Sequence, residues 1–208
     1  MAKTTPTNFV NVNFYGHHRS ELSGKLAGTY RPTMTDLNRF RLNVVGSMDL
    51  SKFKNVTVFN YNAALGKTTP LVCYDIAQTV FDAVGDPYAT YLVTGYSSGG
   101  PSAIYFAQAI DLKPVTQIGY VGLSDAAFVP NESQFLMNMP GVYGTYSKNY
   151  YQTKADPSEI HGPVLNYTSF DLTSQIPGNL SAEDAHFKAC QIGNVKMCED
   201  VVWCLKNL

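Results

Sequence analysis

Apolar and polar side chains alternate from Asn8 to Tyr15 (NFVNVNFY), with β-forming residues at most positions. That period predicts a strand ending at Gly16. Val56–Tyr61 (VTVFNY) predicts a second strand. Over Thr69–Val84 the period changes, and apolar residues recur every three to four places. Thr69 suits a helix cap and Pro70 the first helical position, and Gly85-Asp86-Pro87 ends the run. Ala89–Thr94 (ATYLVT) is a near-continuous β-branched and apolar run, the pattern of a strand covered on both faces. A helix over Pro101–Leu112, strands over Thr116–Gly122 and Val164–Phe170, and a helix over Asn194–Leu205 follow. Residues 19–55 read as a long connection with a short helix near Thr35–Phe40. Strand and helix alternate from 56 to 122. The expected class is therefore α/β: a mostly parallel central sheet of about five to six strands with helices on both faces.

The chain has 208 residues, which suits a single domain over 1–208. With 45% hydrophobic and 15% charged residues, it has too much apolar surface to bury and too little charge for disorder. A net charge of −1 supplies no basic field for a phosphate backbone, which excludes nucleic acid as the main partner. No apolar run approaches the roughly 18 residues of a membrane span. The start, MAKTTPTNFV, has no apolar stretch after its lysine, so no signal peptide is expected and the protein reads as cytoplasmic. A secreted protein remains the alternative if a leader has been trimmed. Cys73, Cys190, Cys198 and Cys204 lack metal-ligand spacing. They are expected to be buried thiols, one disulfide among the last three being the alternative. Neither metal nor organic cofactor is expected.

Chemistry enters between the third strand and its helix, at Gly95-Tyr96-Ser97-Ser98-Gly99. A nucleophile at the tip of a strand-to-helix turn takes a strained backbone. The flanking chains then approach so closely that only small residues fit two before and two after it. Gly95 and Gly99 supply that room. Ser97 would face the cleft above the strand ends, and the Ser98 N–H would face a developing oxyanion. A rival pattern uses the same residues. Thr94–Gly99 looks like the TGxxxGxG loop of short-chain dehydrogenases, and Tyr150 with Lys154 forms a Y-x-x-x-K pair. Against it, Pro101 occupies the third glycine position, and at least two strands precede a loop that should follow the first. The Tyr/Lys pair also comes too soon after the loop.

The GYSSG turn and the βαβ spacing around it resemble a compact α/β-hydrolase; Tyr96 before the serine is similar to the elbow of cutinases. That resemblance implies a serine hydrolase whose nucleophile, acid and histidine follow in chain order. His17 and His18 precede Ser97 and are poor bases on that order. His186, placed in a loop between the last strand and the C-terminal helix, is the favoured base, with His161 as the alternative. Asp125, directly after the strand TQIGYVGLS, is the favoured acid. The resemblance puts the acid one strand later, which keeps Asp171 open. Asp184 lies too near His186 in sequence to support it. The second oxyanion donor is expected at Gly16 or His17, after the first strand. Tyr96, His18, Met137 and Tyr151 are expected to line the substrate pocket. The last two belong to an aromatic- and Met-rich stretch near 129–160 that reads as a lid or substrate-binding insertion. The expected activity is cleavage of a small-molecule ester or thioester through an acyl-enzyme. A non-catalytic binding domain, or a nicotinamide-dependent reductase, is the alternative.

Overall fold

β1 (Phe9–Gly16) is buried almost throughout. Val10, Val12 and Phe14 pack on one face, and Phe9 and Tyr15 on the other. The alternation seen in the sequence is therefore not that of a half-exposed strand. Its polar members are buried and paired. Asn11 Nδ2 donates to Leu92 O at 3.0 Å, and Asn13 Nδ2 donates to Asn11 Oδ1 at 2.8 Å and to Asn60 Oδ1 at 3.1 Å. Thr94 Oγ1 donates to Asn13 Oδ1 at 2.5 Å. Asparagines can occupy this core because each polar group finds a partner inside it.

The computed structural model describes residues 8–16, 53, 55–63, 69–128, 146–154 and 160–208. Within them, β1 is followed by β2 (Val56–Ala63), α1 (Pro70–Val84), β3 (Thr90–Tyr96), α2 (Gly99–Asp111), β4 (Gln117–Ser124), β5 (Tyr146–Tyr151), β6 (Thr168–Asp171) and α3 (Ala182–Asn207). The sheet order is β2-β1-β3-β4-β5-β6, and every neighbouring pair is parallel. The fold is α/β. Helices α1 and α2 share the core that contains Val10, Val12, Phe14, Tyr91 and Val93. α3 covers the opposite face through Cys198, Val201 and Cys204, against Phe9, Leu92 and Tyr120. The strand order reverses between β1 and β3, and the crevice outside the carboxyl ends of the strands at such a switch point is where open α/β sheets bind ligands.

Thr69 caps α1, its Oγ1 accepting from the Val72 N–H at 3.3 Å, with Pro70 at the first position. The structure departs from the sequence-based expectations in three elements. Residues 146–151 (YSKNYY) form the fifth strand instead of part of a lid. Several of their contacts are polar: Tyr150, which also packs with Leu172 and Met197, and Lys148 both reach Asp200, and Asn149 Nδ2 donates to Gly162 O at 2.8 Å. α3 begins at Ala182, twelve residues before the predicted start at Asn194. Ser181 caps it by accepting from the Asp184 N–H at 3.1 Å. The remainder of the expected lid (129–145 and 155–159) and the short helix near Thr35–Phe40 lie outside the described residues. The final strand is shorter than expected, Thr168–Asp171. All four cysteines are buried, and none is joined in a disulfide among the described residues. Among the described residues no helix is long and apolar enough to cross a membrane.

Helix α2 approaches β1 so closely at Gly99 that a Cβ there would lie 2.2 Å from the Phe14 carbonyl oxygen. Backbone on both sides leaves nothing to rotate away. Gly99→Ala should therefore lose about 3 kcal/mol or more of unfolding free energy in urea titration. Gly178→Ala, where nothing lies within 4 Å of the new carbon, should stay within about 0.5 kcal/mol of wild type. Equal losses at the two positions would contradict this packing.

Candidate active site

Ser97 sits between β3 and α2 with φ +52°, in the left-handed region that a residue with a Cβ seldom occupies. The turn is this sharp because Gly95 and Gly99 touch: a Cβ on Gly95 would lie 2.3 Å from the Gly99 carbonyl oxygen. The Ser97 N–H donates to Ser124 O at 3.0 Å, and Ser97 O accepts from the Gly100 and Ala127 N–H groups at 3.0 Å each. The turn is thereby tied to the end of β4. Gly16, at the end of β1, closes the other side; a Cβ there would lie 2.4 Å from the Ser97 Cβ.

His186 Nε2 stands 2.8 Å from Ser97 Oγ, and His186 Nδ1 stands 2.6 Å from Asp125 Oδ2. The three residues come from three elements. Ser97 follows β3. Asp125 follows β4, which pairs directly with β3. His186 lies in the first turns of α3, not in the loop expected for it. Asp125 also has a positive φ, +41°, and its N–H donates to Tyr150 O at 2.6 Å. Ser97 and Asp125 are thus two of the four non-glycine residues with positive φ among those described. With Nδ1–H donated to the carboxylate, Nε2 is free to accept the serine proton.

Asp125 has no exposed surface. Four nitrogens stand within 3.1 Å of its two oxygens. Oδ1 accepts from the Gln152 backbone N–H at 3.1 Å and lies 3.1 Å from His161 Nδ1; Oδ2 accepts from Gln152 Nε2 at 3.1 Å and meets His186. Burial alone pushes this carboxyl up. The contacts from His161 and His186, and the positive charge those rings can carry, outweigh it and hold the group below the usual carboxylate range. The rings of His161 and His186 lie 4.9 Å apart at 60°. Cys190, one helical turn beyond His186, brings its Sγ to 3.8 and 3.9 Å from the two ring nitrogens. Donor atoms of Asp125, His186 and Cys190 lie within 4.8 Å of one another, close enough in principle for a metal ion. Helix spacing and the histidine–carboxylate contact already account for that proximity.

The other expected site residues are distributed as follows. Ser98 directly precedes α2, and its Oγ donates to Ala63 O at 2.6 Å, linking the turn to the end of β2. Gly16 abuts Ser97 as described. Tyr96 is half-buried, packed toward α3 with Tyr15 and Met197. Tyr151 closes β5, in register with Asp171, instead of belonging to a lid. Asp171 is exposed and accepts from the Thr173 N–H at 2.8 Å, so it is spent on the turn after β6. Asp184 belongs to the helix cap, accepting from Ser181 Oγ at 2.7 Å. Tyr150 donates to Asp200 at 2.8 Å, while Lys154 reaches the carbonyls of Ile176 and Pro177 at 3.2 and 3.3 Å. That tyrosine and lysine are therefore committed elsewhere. His17, His18 and Met137 lie outside the described residues. Gln152 was not foreseen. It carries no motif, and only the fold brings it onto Asp125. His161 was foreseen as an alternative base, not as a neighbour of the acid.

The Asp125 ionisation couples to stability. An unfolded aspartate titrates near about 3.9, and the folded group lies lower. Its stabilising contribution is thus complete above about pH 4 and is lost as pH falls through the folded-state value. Thermal midpoints followed by circular dichroism between about pH 5 and pH 2 should fall more steeply for wild type than for Asp125→Asn. Parallel slopes would contradict the assignment.

No family model matches the chain, and no curated protein sequence does. Among solved structures, a hormone-sensitive lipase from a metagenome library is similar in its overall course, with a TM-score of 0.48 at 9% identity over 99% of this chain and 80% of that one. A likeness this slight carries no argument about activity, and function has to come from the site's own geometry.

Proposed function

We propose that the protein is a serine hydrolase of the α/β-hydrolase type, cleaving a carboxylic ester or thioester. The observation that carries this is the continuous relay from Ser97 Oγ through His186 to Asp125, with contacts of 2.8 and 2.6 Å, at the switch point of a parallel sheet. Ser97 attacks the carbonyl carbon as His186 Nε2 takes its proton. Asp125 holds the ring in the accepting tautomer and stabilises the imidazolium that forms. The tetrahedral oxyanion is met by the Ser98 N–H at the start of α2, and the second donor is the N–H of Gly16, at the end of β1, or of His17, which lies outside the described residues. His186 returns the proton to the leaving oxygen or sulfur, giving an acyl-enzyme. Water then repeats the sequence and frees the acid. Every step uses groups of this chain, and the substrate is a small acyl compound.

Hydrolysis of p-nitrophenyl esters from acetate to longer chains tests this. Ser97→Ala and His186→Ala should each lower kcat on the order of 10⁴-fold or more, while the fold is retained. Ester cleavage that survives in Ser97→Ala would overturn the assignment.

A further inference from the structure

We infer that Gln152 is a positioning residue for this site: its side-chain amide holds the Asp125 carboxylate at the angle that presents Oδ2 to His186. The inference rests on the hydrolase reading above.

β4 and β5 are parallel, with Ser124 in register with Tyr150. Carried one residue further, that ladder has the Asp125 N–H donating to Tyr150 O and the Gln152 N–H donating to the Asp125 carbonyl. The first bond is present at 2.6 Å. In the second, the side chain stands in for the carbonyl: the Gln152 N–H donates to Asp125 Oδ1 at 3.1 Å. The positive φ of Asp125 marks the point where β4 leaves the regular ladder. The bond to Oδ1 alone would let the second oxygen swing about it. The Gln152 side chain removes that freedom. Its Nε2 donates at 3.1 Å to Oδ2, the same oxygen that meets His186 Nδ1 at 2.6 Å.

The amide is itself held in one orientation. Gln152 is fully buried, and its Oε1 accepts from the Lys154 N–H, which can only donate. The amide nitrogen therefore faces Asp125. The residues around Gln152 are anchored to the segment after β6. The Leu172 N–H donates to Tyr151 O at 2.7 Å, the Thr153 N–H donates to Thr173 Oγ1 at 2.9 Å, and Lys154 Nζ donates to Ile176 O at 3.2 Å. Folding thus settles the rotamer of this flexible side chain before substrate arrives. Losing Nε2 frees Oδ2 to turn away from His186, and the chemical step would suffer. Gln152 has no exposed surface for substrate to meet, so binding would not.

Three measurements test this. In wild-type protein, the Gln152 side-chain amide should exchange its protons far more slowly by ¹H–¹⁵N NMR than that of the exposed Gln191. Equal exchange at the two would overturn the inference with no need of a variant. Next, Gln152→Met, of similar length but without the donor, should lower kcat for ester cleavage roughly ten- to hundred-fold, the rate equivalent of one hydrogen bond to a charged group, with KM within about twofold. Gln152→Asn, which draws the amide back by one carbon, should show the same pattern and serves if the Met variant does not fold. A wild-type kcat in the folded variant, or a loss confined to KM, would overturn the inference. Last, the same substitution placed in Asp125→Ala should cost less than about twofold more, because no carboxylate is left to hold. A loss that repeats in full there would show that Gln152 acts by another route, and would overturn it. Inert wild-type protein with a protected Gln152 amide would instead sink the hydrolase reading, so the two failures are distinguishable.

Discussion

A carboxylate with no exposed surface is costly to bury, and Asp125 is tolerated only because its surroundings supply donors on both oxygens. Those donors come from two separate parts of the chain: Gln152 just beyond β5 and His186 near the start of α3. Each reaches Asp125 only if the sheet is assembled in its observed order. The Tyr150 carbonyl takes the Asp125 N–H, so the same β5 residue pair orients the aspartate and delivers Gln152. The site is thus complete only when these distant parts of the chain are in place.

Backbone strain lies where the chemistry is proposed. Ser97 and Asp125 both adopt positive φ, each at the exit of a central parallel strand, and each is over-determined by backbone hydrogen bonds from neighbours. Such conformations cost on the order of 1–3 kcal/mol apiece and persist only where the surroundings enforce them. The enforcement is steric as well. The contacts at Gly16, Gly95 and Gly99 leave no space for a side chain, and they bring β1, β3 and α2 together around Ser97. A serine placed this way holds its hydroxyl 2.8 Å from His186 Nε2, the preorganisation that the proposed nucleophile needs.

Much of this could be read from the residues. The strands before and after Ser97 are strongly apolar, the helices α1 and α2 carry proline at or near their starts, and both sets of signals act locally. Asp125 was legible because β4 is a clean apolar run that ends one residue before it. What escaped was held by long-range contacts. β5 carries Lys148, Asn149 and three tyrosines, a composition that read as part of a lid and not as a strand; Lys148 and Tyr150 are held by Asp200, and Asn149 by Gly162. The first half of α3 reads as a loop, being charged at its start and carrying Gly193-Asn194 in its middle. Gly193 is required there because a Cβ would lie 2.2 Å from Ser124 Oγ. Gln152 and His161 have no motif at all; their meaning is purely spatial. The resemblance to hydrolases placed the acid one strand later, whereas the hydrogen bond to His186 comes from the residue after β4.

The central claim is that His186 and Asp125 make Ser97 a nucleophile. The most direct measurement is the intact mass of the folded protein after exposure to a fluorophosphonate, for wild type and Ser97→Ala. A single phosphonyl adduct on wild type, absent from Ser97→Ala and strongly slowed in His186→Ala, is the result this account requires. Wild-type protein that stays unmodified, under conditions that label a control esterase to completion, would contradict it and leave the domain a binder instead of an enzyme.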